Sequence, residues 1–135
     1  AYRDWGRLES TEAVRASQWL ISAQNADGGW GGNLQTPSSV EETSLALEAL
    51  LSVPLGKEAC QRGLEWLLER VSDNSFRQPA AIGLYFAKLW YFEQLYPMIF
   101  AVAALNRGLE IADRLVDSSP VDSNKPNEIR PAITS

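Results

Sequence analysis

The run Arg15-Ala16-Ser17-Gln18-Trp19-Leu20, with Gln24 behind it and the turn Asp27-Gly28-Gly29-Trp30-Gly31 closing it, decides the fold. Arg15, Gln18, Ser22 and Asn25 recur at steps of three and four and form one narrow polar stripe. Ala13, Ala16, Leu20 and Ala23 lie opposite. That period predicts a mostly buried helix over 11–25. Gln24 projects toward the apolar side, which is unusual for an amide. The glycines after Asp27 mark a turn whose residues tolerate positive φ.

The same pattern returns 47 residues later as Arg62-Gly63-Leu64-Glu65-Trp66-Leu67. Each copy has a basic residue, a small one, two variable positions and then Trp-Leu. One helix pair repeated at that spacing is the signature of a helical solenoid or toroid. Between the copies, Ser39 with Glu42 reads as a capping box opening a helix with Thr43, Ala46, Leu47, Leu50 and Leu51 on its buried face. After Pro54-Leu55-Gly56 a helix over 57–70 buries Cys60, Leu64, Leu67, Leu68 and Val71. Residues 80–105 carry only Lys88 and Glu93 as charges. That run raises the question of a membrane span. Pro97 interrupts it, so it reads as two buried helices, 82–95 and 98–116. Residues 117–135, rich in Ser, Pro, Asp and Asn, read as a disordered tail. No strand signal appears. The expected class is all-α, a partial α/α toroid of helix pairs.

Composition narrows the chemistry. The chain has 135 residues, a formal charge of -5, one cysteine and no histidine. Without histidine it holds no Ser-His or Cys-His dyad. Cys60 alone builds neither a thiolate metal site nor a disulfide. The acidic balance argues against nucleic acid, which demands clustered Lys and Arg. The chain begins at Ala1 rather than Met, which reads either as processing or as a piece of something longer.

In order, Gly28-Gly29-Trp30-Gly31, Pro37-Ser38 with Glu42-Thr43, Arg62 to Trp66, and Gly83-Leu84-Tyr85-Phe86 through Tyr96-Pro97 resemble the C-terminal end of squalene–hopene cyclase-like proteins. The resemblance covers roughly residues 10–108 and makes 1–116 the C-terminal part of a cyclase-like toroid. Arg15, Trp19, Gln24 and Trp30 match the family's QW motif; Arg62 and Trp66 match a degraded second copy. In that family the motif ties outer helices together, its Gln amide satisfying groups at a neighbouring helix end. The family's chemistry is protonation of a polyprene by an Asp-x-Asp-Asp acid, followed by a carbocation cascade guided by aromatic faces.

No such acid run is present, so the resemblance implies a portion of a triterpene cyclase that walls the cavity and is inactive alone. Glu41-Glu42-Thr43 resembles the acid segment at an inner-helix start, but reads as capping and dipole stabilisation. Seven of the thirteen aromatics fall within 85–100. Tyr85, Leu89 and Phe92 share one face of the expected helix. The resemblance makes Tyr85 and Phe92 cation stabilisers. Ala81 and Leu89 stand where the family carries aromatics, which implies a wider or less stabilising cavity. It also implies a squalene-like apolar substrate, the rest of the cyclase chain as partner, no cofactor or metal, and a cytoplasmic protein seated monotopically on a membrane surface. Two other classes are a non-catalytic helical-repeat binding module and a toroid like the protein prenyltransferase β-subunit. The latter needs a zinc site with histidine, which this chain lacks.

Overall fold

A computed structural model describes residues 6–84 and 89–117, with the backbone alone given for 80–84 and 89–91. In chain order the elements are α1 (Thr11–Ser22), α2 (Val40–Leu50), α3 (Lys57–Ser72), a single 3-10 turn (Ser75–Arg77), strands β1 (Ala80–Leu84) and β2 (Leu89–Glu93), and α4 (Leu95–Asp117). The helical architecture read from the sequence is present, with the departures described below.

Each helix starts where local chemistry allows it. Ser10 caps α1 by accepting from the Ala13 N–H, and Ser39 caps α2 by accepting from the Glu42 N–H. Gly56 opens α3 in the left-handed region at φ 74°. The Leu95 N–H donates to Glu93 Oε1 at 3.0 Å, which fixes the start of α4.

α2 is the centre of the molecule. It packs most extensively on α4, then on α3, and less on α1. Leu47, Leu50 and Leu67 are fully buried among Trp30, Ala46, Ala59, Cys60, Trp66, Ala101 and Ala104. Each buried leucine contributes about 1.5–3 kcal/mol from the area removed from water. Gly63 is required here for space. A Cβ built on it would lie 2.7 Å from the Trp30 ring and 3.0 Å from Leu47.

The helix expected over 82–95 is instead an antiparallel hairpin, with Ala80 opposite Glu93 and Leu84 opposite Leu89. Gly83 weakens a helix interior, and the aromatic run Leu89 to Glu93 suits a pleated surface better. The break expected at Pro97 is also corrected. Pro97 lies fully buried in the first turn of α4, where its missing N–H has no helical partner to lose. α4 is therefore one continuous 23-residue helix. Among the described residues it alone is long and apolar enough to cross a membrane, by length and composition only. It rests on the core through Pro97, Ala101 and Ala104. The disordered tail expected from 117 lies outside the described residues beyond Asp117, which ends α4.

Smaller differences concern α1. Ala16 is exposed while Ser17 is buried, its hydroxyl donating to the Ala13 carbonyl at 2.9 Å. Leu68, expected inside, is about half exposed.

Candidate functional site

A polar junction joins the turn after α1 to the neighbouring helices. The Gln24 amide donates to the Gly28 carbonyl at 2.7 Å and to the Ala59 carbonyl, in the first turn of α3, at 2.9 Å. Its own carbonyl accepts from the Arg62 guanidinium. Gln24 thus turns toward the apolar side because three partners wait there, and an amide so placed loses nothing on leaving water. Trp30 is 3% exposed, and its indole N–H donates to the Leu20 carbonyl at 2.8 Å. The Trp30 backbone N–H donates to the Thr43 hydroxyl at 2.9 Å, and its carbonyl accepts from the Ser39 N–H at 2.9 Å. The turn and the start of α2 are therefore locked to each other.

Asp27 is the hub that sequence reasoning missed. Its carboxylate accepts from the Ser38 hydroxyl at 2.8 Å, the Gly29 N–H at 3.1 Å and the Trp66 indole N–H at 3.0 Å. Partial burial works to raise its pKa. The hydrogen bonds from Ser38, Gly29 and Trp66, with the Arg70 guanidinium nearby, outweigh that and hold the carboxyl below its ordinary range. Only the Gly29 contact is local; the Ser38 and Trp66 partners lie 11 and 39 positions away, where no spacing rule points. Trp66 is capped on its other side by Arg70, whose guanidinium carbon sits 4.5 Å from the ring centroid. The second, degraded copy of the repeat is thus held by an Arg–Trp stack in place of a Gln clamp.

Of the expected motif residues, Gln24, Trp30, Arg62 and Trp66 meet in this junction. Arg15 is exposed, and Trp19 is 55% exposed, outside the core. Of the expected cavity residues, Tyr85 lies outside the described residues. Ala81 is paired in register with Phe92 across the hairpin, and Leu89 with Leu84. Leu89 and Phe92 accordingly lie on a strand and share no helix face. Phe92 is 74% exposed. Cys60 is buried, and burial pushes its thiol pKa up, so it is a poor nucleophile. No cluster of three or more metal-ligating side chains occurs among the described residues.

A crevice of about 1120 Å³ opens beside the junction, between the start of α2, the end of α3, the 3-10 turn and the first turn of α4. Its walls include Asp27, Glu41, Trp66, Arg70, Tyr96 and Phe100. Tyr96 and Phe100 meet edge to face, their centroids 5.7 Å apart. Aromatic faces beside carboxylates favour positive charge.

The family model for the squalene-hopene cyclase C-terminal domain matches residues 6–110. The terpene cyclase-glycosyl transferase fusion protein fsoA of Humicola fuscoatra is 33% identical, over 75% of this chain and 9% of its own. Enfumafungin synthase efuA of Hormonema carpetanum is 35% identical, over 57% of this chain and 6% of its own. The squalene hopane cyclase afumA of Aspergillus fumigatus is 36% identical, over 46% and 10%. The chain spans a tenth or less of the length of these relatives. No solved structure matches it.

Proposed function

The chain belongs to the squalene-hopene cyclase C-terminal domain family, and from that premise we propose that it is the C-terminal portion of a triterpene cyclase. In this reading it walls the cavity in which an apolar, squalene-like polyprene cyclises through a series of carbocations. The observation that carries the reading is the family match over 6–110, which spans both copies of the repeat and the aromatic segment. The named functions of the relatives, all terpene cyclases or synthases, support it.

The chemistry follows from what the segment holds. A carbocation is stabilised by the negative face of an aromatic ring, which offers no lone pair to quench it. Phe92 and Tyr85 are the rings assigned to that task, with Ala81 and Leu89 leaving room beside them. The exposed apolar side chains Trp19, Leu45, Phe92, Ile99 and Val102 support a piece whose neighbouring repeats complete it. They favour that over a free-standing binding module. The initiating acid belongs to another part of the full-length protein, and the isolated chain is inactive. The full-length enzyme sits monotopically on the cytoplasmic face of a membrane, where a polyprene dissolves.

The test is incubation of the full-length protein with squalene, with products identified by gas chromatography–mass spectrometry. Cyclic triterpenes from the full-length protein and none from residues 1–135 are expected. Cyclic product from the isolated chain, or none from the whole protein, would overturn the reading.

A further inference from the structure

The crevice beside the junction contains a feature that capping does not explain. A capping box returns the third-position carboxylate to the cap N–H. Here the Ser39 N–H is taken by the Trp30 carbonyl, and only the Ser39 hydroxyl bonds the Glu42 N–H. The box is half built, and Glu41 takes no part in it. Glu41 Oε1 is shut off from solvent and has no hydrogen-bond partner. A shielded carboxylate oxygen without a partner on a cavity wall is a group waiting for something to enter.

The other carboxylates of the wall, Asp27, Glu42 and Asp73, differ, and Glu42 has no oxygen that is both shut off from solvent and without a partner. Asp27 is committed to Ser38, Gly29 and Trp66. Asp73 accepts from the Ser75 N–H at 2.8 Å and pairs with Arg70. Arg70 is itself stacked on Trp66. Among the described residues Glu41 is the one carboxylate with a shielded, unused oxygen. It faces the same space as Tyr96 and Phe100.

Resting on the cyclase reading, we propose that Glu41 is the base that ends the cascade, acting on the last carbocation held against the aromatic wall of this crevice. The C–H bond on the carbon next to the cationic centre breaks, and its electron pair becomes the π bond of the product alkene. The proton goes to Glu41 Oε1. One proton enters when the cascade starts and one leaves when it ends, so no oxidant, reductant or co-reactant is required. Aromatic faces stabilise the cation without removing its proton, and Glu41 supplies the lone pair that they lack. Without it, the cation is captured by water as an alcohol.

The experiment uses the full-length protein with squalene and reads the alkene-to-alcohol ratio of the cyclic products. Glu41→Gln keeps the shape and removes the base, and the ratio is expected to fall about tenfold. Glu41→Asp restores part of it, and Glu42→Gln leaves it at the wild-type value. An unmoved ratio in Glu41→Gln overturns the proposal. If Glu41→Gln yields no product, Glu41→Asp decides: a lowered ratio supports the role and an unchanged one overturns it. Failure of the wild type to convert squalene overturns the cyclase reading itself, which is a separate result.

Discussion

Two regions of this chain are rich in aromatic residues and use them in opposite ways. In the junction, Trp30 and Trp66 are 3% and 4% exposed, and each indole N–H has an acceptor. In the segment that follows, Phe92 is 74% exposed and Tyr96 40%. A tryptophan whose ring is packed and whose N–H is satisfied acts as cement. A ring left in the open stabilises little within this chain and is available to something else. The difference separates the part that holds the fold from the part proposed to face substrate.

The comparison breaks or sharpens under mutation. The largest effect is expected at the cement. Trp30→Ala removes a ring packed against Gly63 and should cost about 3–5 kcal/mol. Chemical denaturation of the full-length protein measures it, and a loss under 1 kcal/mol would dissolve the distinction. Leu47→Ala, in the centre of α2, should cost about 2–5 kcal/mol by the same measurement.

Asp27→Asn comes next. It weakens three hydrogen bonds to a solvent-accessible carboxylate, so screening limits the loss to about 1 kcal/mol. Its pH signature is more telling. The folded carboxyl titrates below its unfolded value, so its stabilisation is complete above about pH 3.9 and is lost as pH falls through the lower folded value. Asp73 is also lowered, chiefly by Ser75 hydrogen bonds. The Asp27 share is therefore read as the difference between wild type and Asp27→Asn in acid denaturation followed by Trp fluorescence. No difference would remove Asp27 as the hub.

The smallest effect on stability is expected at Phe92→Ala, within about 0.5 kcal/mol, because an exposed ring has little packing to lose. Its effect should appear in catalysis, as a changed product distribution from the full-length enzyme. A large loss of stability with unchanged products would make Phe92 cement as well.

The legibility of the two regions differs for a physical reason. Helix periods, the Ser39 cap and the repeated Trp-Leu pattern are local, so α1, α2 and α3 can be read from the chain. The oddly placed Gln24 is a sound signal as well, since an amide turned toward an apolar side must find partners. Asp27 leaves no such trace, because a carboxylate in a turn looks ordinary until its partners from α3 arrive. Between 80 and 95 a run almost without charge fits a buried helix or a buried strand equally, and period alone does not choose. Pro97 was ambiguous in the same way, since it both ends helices and begins them.

The sequence by itself determined the helix pairs, the repeat, the family resemblance and the absence of histidine chemistry, since each depends on residue type and short spacing. Only the tertiary structure decided that the aromatic segment is a hairpin leading into one long helix. It alone made Asp27 a hub and left Glu41 shielded without a partner. Those outcomes depend on which distant groups meet, and a hydrogen bond across 39 residues is set by packing rather than by spacing.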